Sequence, residues 1–202
     1  MNKNNFLSQF TEQPLFTKQS MIVAAKRLEM PSNTLNSSIK RSLDKKELIA
    51  LKRGFYITQS FFNIHRSELD YIFYLATKLL EPSYISRESA LQYYGLLTEA
   101  NNTVITCVSL STTRKFDNRL GIFEYRNIKD SLFKGYVSVQ KNFNFYIAEP
   151  HKAVFDFLYF RIPIKDLRNQ NAVIKYLDEF RIDFEDMGKM ELDKFYKLIS
   201  KV

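Results

Sequence analysis

Apolar residues in the first part of the chain recur every three or four positions, which is the spacing of one helical face. A first helix is expected to begin after Thr17, whose hydroxyl is suited to cap it. Its predicted buried face consists of Met21, Ile22, Ala25 and Leu28. Pro31 breaks the pattern, and Ser32 or Asn33 is expected to cap a second helix. The buried stripe of the second helix consists of Leu35, Ile39 and Leu43.

The opposite face of the second helix is polar and mostly cationic. At about 100° per residue, this face holds Asn33, Thr34, Ser37, Lys40, Arg41 and Asp44. Amides and hydroxyls reach base edges in DNA, whereas Lys and Arg meet phosphates or guanine. The pattern is therefore typical of a recognition helix.

The next apolar positions belong to two short strands. Leu48–Lys52 and Phe55–Thr58 flank Arg53 and Gly54, where glycine permits the positive φ of a tight hairpin turn. Lys52 and Arg53 are expected at the hairpin tip, in contact with DNA phosphates or the minor groove. Two helices and this hairpin predict a winged helix-turn-helix domain over residues 1–62. Its predicted DNA-binding residues are Thr17, Asn33, Thr34, Ser37, Lys40, Arg41, Lys52 and Arg53.

Positive charge is concentrated in this first third. Residues 1–66 contain eleven Lys and Arg against four Asp and Glu, so they carry +7 of the net charge of +8. A domain that releases counterions from DNA requires such an excess. The alternative is a winged helix that contacts only proteins and whose cationic face is simply solvated.

The remaining residues, 63–202, predict a larger α+β domain. A connector is expected at 59–66, helices at 68–80 and after Ser86 as far as Gly95, and then a change to the alternating pattern of strands. The predicted strands are 103–110, 121–128, 136–140 and 143–148. Further helices are predicted near 150–161, 172–180 and 190–199. The expected fold is α+β, with a small, mostly antiparallel sheet flanked by helices.

The low number of cysteines and histidines excludes the usual zinc sites. One cysteine and two histidines cannot form a zinc site of the usual spacing, so no metal or cofactor is expected. Cys107 lies in an apolar run and is predicted to be a buried hydrophobe. The chain has neither a signal-peptide pattern nor an uncharged run long enough for a membrane span, which predicts a cytoplasmic protein without membrane contacts.

Two polar groups in the second part have competing interpretations. Glu149, Lys152 and Asp156 are spaced to share one helical face and would suit a metal-dependent catalyst. Alternatively, Lys152 pairs with Asp156 and Glu149 favours the helix N-terminus. The second group comprises Ser83, Ser86, Arg87, Glu88 and Ser89. Its serines are expected to be helix caps and not nucleophiles, because neither a histidine nor a glycine elbow accompanies them.

Several short motifs resemble the AbiEi family of antitoxins and transcriptional regulators. The first set comprises LKRGFY at 51–56, PSYIS at 82–86, SAL at 89–91 and YGL at 94–96. The second set comprises IAEPHKA at 147–153 and DFL at 156–158. The order and spacing of these motifs match the family over most of the chain. His151 departs from it, because an acidic residue is more usual at that position.

The resemblance implies a two-domain protein of toxin–antitoxin and phage-defence operons. Its N-terminal domain would repress its own operon by binding inverted repeats in the promoter. Its C-terminal domain would counteract a nucleotidyltransferase-like toxin, without a stable complex. The expected function is thus that of a non-enzymatic antitoxin and autorepressor, and the alternative is a catalytic C-terminal domain.

Overall fold

A computed structural model describes residues 6–97, 104–184 and 187–200 of the chain. The fold is mixed α+β and contains a three-stranded antiparallel sheet and a six-stranded mixed sheet. The predicted α+β class is therefore confirmed. Three predicted ranges extend outside the described residues. The first domain includes residues 1–5, the second domain includes 98–103, 185–186 and 201–202, and the predicted strand 103–110 includes Thr103.

The N-terminal part contains two helices and a small sheet. A 3-10 helix, Leu7–Phe10, precedes β1 (Phe16–Thr17), α1 (Lys18–Arg27), α2 (Ser32–Asp44), β2 (Leu48–Lys52) and β3 (Phe55–Thr58). The strands lie in the order β1-β3-β2, and Gly54 turns the β2–β3 hairpin with φ of +82°. The predicted helices and hairpin strands are confirmed, whereas β1 was not predicted. The predicted connector is instead α3 (Gln59–His65), because Thr58 accepts a hydrogen bond from the Phe61 amide and caps a helix there.

The ends of α1 and α2 differ in how they are capped. Thr17 Oγ1 accepts from the Ser20 amide at 3.1 Å, and the Thr17 amide donates to Ser20 Oγ at 2.9 Å, so the predicted cap of α1 is confirmed. The predicted cap at Ser32 or Asn33 is wrong, because Pro31 holds the cap position and its carbonyl accepts from the Leu35 amide at 3.0 Å. Leu28 was predicted to be buried but is 37% exposed, because α1 ends at Arg27.

The second part is built on the six-stranded sheet. Its strands are β4 (Ser83–Ile85), β5 (Val104–Ser109), β6 (Arg114–Asn118), β7 (Gly121–Asn127), β8 (Tyr136–Val139) and β9 (Phe145–Ala148). They lie in the order β6-β7-β5-β4-β9-β8. β5 pairs with β7 and β4 pairs with β9 in parallel, while the other three pairings are antiparallel. The sheet is thus larger and more mixed than predicted, and β4 and β6 were not predicted.

Helices surround this sheet and complete the larger core. They are α4 (Leu69–Leu79), α5 (Glu88–Tyr93), α6 (Pro150–Tyr159), α7 (Ile164–Leu167), α8 (Gln170–Glu179) and α9 (Lys189–Ile199), and a 3-10 helix spans Asp130–Leu132. The predicted helices near 68–80, 150–161, 172–180 and 190–199 are confirmed. The helix expected after Ser86 begins later, at Glu88.

The two parts of the chain share packing through the β2–β3 hairpin. Leu48 belongs to a small core with Met21 and Leu35, whereas Ile49 and Leu51 belong to the large core of the second part. A boundary at residue 62 stays a prediction. The contacts show that the hairpin is fixed against the larger part of the fold.

Candidate nucleic-acid interface and polar clusters

The outer face of α2 is fully accessible. Leu35 and Ile39 are buried and fix the helix to the small core. The six polar residues predicted for the outer face are all exposed: Asn33, Thr34, Ser37, Lys40, Arg41 and Asp44. This arrangement presents amide, hydroxyl, ammonium and guanidinium groups together, so the face offers donors for bases and positive charge for phosphates.

Thr17 lies at the N-terminal end of α1, and its side chain is hydrogen-bonded within the helix. Its hydroxyl accepts from the Ser20 amide and lies 3.3 Å from the Ser20 hydroxyl. The side chain is half-buried. Thr17 therefore orders the first turn of α1.

Lys52 lies at the hairpin tip, as predicted, where it pairs with Phe55 beside the turn, but its side chain points towards α4. Its ammonium donates to the Leu79 carbonyl at 2.5 Å and lies 3.8 Å from the centre of the Phe55 ring. Leu79 is the last residue of α4, so its carbonyl has no partner within the helix. Burial lowers the pKa of Lys52. The predicted contact of Lys52 with DNA stays a prediction, because its side chain is bonded to the end of α4 in this structure, whereas Arg53 is exposed at the turn.

The sequence did not single out Lys45 and Lys46, which are exposed directly after α2. Lys46 has a positive φ of 59° and ends the helix in the left-handed conformation. Their position directly after the last turn of the predicted recognition helix could have identified them as candidate DNA-binding residues. They add positive charge beside Arg41.

Lys152 and Asp156 form a buried ion pair, as one of the two interpretations predicted. The ammonium donates to Asp156 Oδ1 at 2.5 Å, and both side chains are 0% exposed. Asp156 Oδ2 accepts from the Ser86 hydroxyl at 2.7 Å and from the Tyr84 hydroxyl at 3.0 Å. Burial raises the pKa of Asp156 and lowers the pKa of Lys152, while their mutual attraction opposes both shifts.

This network also corrects the role of Ser86. We predicted that its hydroxyl caps the following helix, but the hydroxyl donates to Asp156, and Arg87 holds the cap position of α5. Ser86 lies one residue before the cap position because α5 begins at Glu88, and its side chain faces the buried carboxylate. The network ties β4 to α6.

Glu149 belongs to a different cluster. Its carboxylate accepts from Lys194 at 3.1 Å, and Lys194 also donates to Glu191 at 2.7 Å. Glu191 in turn pairs with His151 Nδ1 at 2.7 Å. Glu149 therefore bonds to different residues from Lys152 and Asp156, and the three side chains do not form one site. Sequence analysis missed Glu191 and Lys194 because they lie about forty residues away on α9.

Burial and hydrogen bonding act in opposite directions on Glu191. Burial would raise its pKa, but hydrogen bonds from Lys194 and His151 hold the pKa below the usual range for a glutamate. Ligand atoms of Glu149, His151 and Glu191 lie within 4.8 Å of one another. The Lys194 ammonium bonds to both carboxylates and supplies the positive charge there.

Glu88 lies at the edge of a cleft of about 820 Å³ between α5, the sheet and the end of α8. Arg87, which precedes it, has φ of 58° and ψ of −135°, a region that residues other than glycine rarely occupy. The Arg87 guanidinium donates to Glu124 at 2.8 Å, and the Arg161 guanidinium pairs with Glu88. Burial would raise the pKa of Glu124, but its bonds to Arg87 and Arg126 lower it.

Across residues 6–97, 104–184 and 187–200, no helix combines the length and the apolar character that crossing a bilayer requires. No family model and no curated protein sequence matches the chain.

Proposed function

We propose that the protein is a DNA-binding transcriptional autorepressor and the antitoxin of a toxin–antitoxin operon. In this proposal residues 1–62 act as a winged helix-turn-helix, and α2 is the recognition helix. The partner DNA is the operon promoter, with inverted repeats, and the functional partner is a nucleotidyltransferase-like toxin. The protein is cytoplasmic and acts without a cofactor.

One observation gives the main support for the proposed DNA binding. The buried residues Leu35 and Ile39 hold α2 so that Asn33, Thr34, Ser37, Lys40 and Arg41 are all exposed on its other side. A groove of duplex DNA accepts a single helix with such a face. Arg53 at the hairpin turn and the exposed Lys45 and Lys46 extend the positive surface. The excess charge of the first 66 residues supports the same interpretation.

A promoter-binding titration tests this part of the proposal. We expect the wild-type protein to bind a labelled duplex from its own promoter more tightly than an unrelated duplex. Combined Lys40→Ala and Arg41→Ala substitutions remove two cations from the exposed face, so we expect a loss of about tenfold or more. The matched control is Lys165→Ala with Lys175→Ala, which removes two exposed cations from the second part of the chain. Equal affinity of the two double variants would contradict the assignment.

The antitoxin part is supported by the family resemblance of the motifs in the second part. Two of these motifs, PSYIS and DFL, supply Tyr84, Ser86 and Asp156, which meet in one buried network. We expect a neighbouring reading frame to encode the toxin. Co-expression with that toxin should restore growth, and the Lys40→Ala, Arg41→Ala variant should restore it equally while losing repression. Failure of the wild-type protein to restore growth would remove this part of the proposal.

A further inference from the structure

We propose that the cleft beside Arg87 and Glu88 binds a nucleotide, with the base on these two residues and the phosphates on the arginines at its mouth. The inference concerns the second part of the chain and does not depend on DNA binding by α2. Its volume of about 820 Å³ lies within the range of small-molecule sites. The lining is both charged and aromatic: Arg87, Glu88, Glu124, Phe157, Arg161 and Phe180.

Two buried polar atoms on one wall of the cleft are incompletely satisfied. Arg87 is only 6% exposed, and its Nε has no hydrogen-bond partner in the described part of the chain. Glu88 Oε2 is also buried and, within the same residues, accepts no hydrogen bond, although it forms an ion pair with an Arg87 terminal nitrogen at 3.4 Å. One atom is a donor and the other is an acceptor. Buried polar groups are rarely left in this state, so each exception requires an explanation, and a bound ligand is one such explanation.

The partner that satisfies both atoms carries an acceptor next to a donor. The hydrogen-bonding edge of a nucleobase has this arrangement, as in O6 and N1–H of guanine or N7 and the N6 amino group of adenine. An inorganic anion offers only acceptors and would leave Glu88 Oε2 unpaired. Phe180 is half-buried at the cleft and supplies a ring for contact with a base.

Arg161 controls access to Glu88. Its guanidinium pairs with Glu88 Oε1 and lies 4.3 Å from the centre of the Phe157 ring, while the side chain remains 40% exposed. When this exposed side chain swings away, Glu88 becomes available to a base. Arg161 then lies at the mouth of the cleft, where a phosphate chain requires positive charge.

The strained backbone at Arg87 fits the same role. Arg87 has this unusual φ and ψ, and its guanidinium donates to Glu124 on β7 at 2.8 Å. An anchored guanidinium keeps its Nε–H fixed at the wall. Residues with such backbone conformations concentrate at ligand sites.

Isothermal titration of the full-length protein with ATP, GTP, CTP, UTP and inorganic triphosphate tests the inference. We expect at least one nucleotide to bind with a dissociation constant well below about 1 mM, and more tightly than triphosphate. Glu88→Gln removes the charged acceptor, so the affinity should fall about tenfold or more. Arg161→Ala should weaken binding of the nucleotide more than binding of its nucleoside. The matched control is Arg119→Ala, an exposed cation in the β6–β7 turn outside the cleft lining, which should leave the affinity unchanged.

Three results would overturn the inference. The first is no binding of any nucleotide at about 1 mM. The second is equal binding of inorganic triphosphate, which means a phosphate site without base recognition. The third is binding that survives Glu88→Gln and Arg161→Ala but is lost on Lys40→Ala with Arg41→Ala, because the nucleotide then occupies the DNA-binding face. Thermal unfolding of each variant verifies that it is folded.

Discussion

Asp156 on α6 accepts a hydrogen bond from the Ser86 hydroxyl at 2.7 Å, although the two residues are 70 positions apart in the chain. The same carboxylate holds the Lys152 ammonium and the Tyr84 hydroxyl. The end of β4 and the middle of α6 are therefore joined by one buried acid. Loss of this acid leaves several buried groups without their partner.

We expect Asp156→Ala to destabilise the fold strongly. The substitution leaves the Lys152 ammonium buried and unpaired, which typically costs about 3–5 kcal/mol in the free energy of unfolding. Urea unfolding followed by circular dichroism measures the change. The control is Glu81→Gln at the exposed Lys78–Glu81 pair, for which less than about 1 kcal/mol is expected. Similar losses in the two variants would contradict the buried role of Asp156.

A double variant separates the ion pair from packing. Lys152→Met with Asp156→Leu removes both charges and keeps comparable volume, so it should be far more stable than Asp156→Ala alone. The same urea experiment makes the comparison. If the double variant is as unstable as the single one, the unpaired charge is not the cause of the loss.

The predictions for α2 and its hairpin depend on residues close together in the sequence and are confirmed, whereas side-chain partners that lie far apart in the sequence were not predicted. The spacing of Leu35 and Ile39 and the turn at Gly54 are local, and they were sufficient for α2 and its hairpin. The bond from Ser86 to Asp156 and the bond from Lys52 to Leu79 join distant parts of the chain. A propensity or a cap rule contains no information on such partners, which explains the error at Ser86 and the unpredicted partner of Lys52.

The same limit applies to the candidate sites. The exposed face of α2 follows from helical geometry, and all of its predicted residues are exposed. The cleft is lined from α5, β5, β7, α6 and α8, so its polar residues are dispersed in sequence from Arg87 to Arg181. Of these lining residues, the sequence singles out Arg87 and Glu88, because they are adjacent in one compact polar cluster.

Stability at acidic pH should depend on Glu191. Its pKa in the folded protein lies below the unfolded value, so its bonds to His151 and Lys194 stabilise the fold above about pH 4.3, the usual glutamate pKa. This contribution is lost as the pH falls through the folded pKa. We expect Glu191→Gln to lower the free energy of unfolding at neutral pH. Below the unfolded pKa, the free energy of unfolding of the variant should fall less steeply with decreasing pH than that of the wild-type protein. Urea midpoints measured between neutral and acidic pH test this, and parallel curves for both proteins would contradict it.

The Thr17 cap predicts a modest and specific effect. Thr17→Ala removes the acceptor for the Ser20 amide, and we expect a loss of about 1 kcal/mol in the free energy of unfolding. Thr17→Ser and Thr17→Asn keep a capping oxygen and should retain most of the stability. If all three variants lose the same amount, the hydroxyl is not the cause, and the half-buried methyl group is.

Lys52 and Arg53 are neighbours of equal charge with opposite surroundings, and this makes them a matched pair for DNA binding. Lys52 is held by the Leu79 carbonyl and the Phe55 ring, whereas Arg53 is exposed at the turn. Each cation that contacts a phosphate adds about one to the slope of log affinity against log salt. We expect Arg53→Ala to lower both the promoter affinity and this slope, and Lys52→Met to leave the slope unchanged. Fluorescence anisotropy over a range of salt concentrations makes the measurement. A larger slope change in Lys52→Met would mean that Lys52 leaves the α4 carbonyl and contacts the DNA backbone.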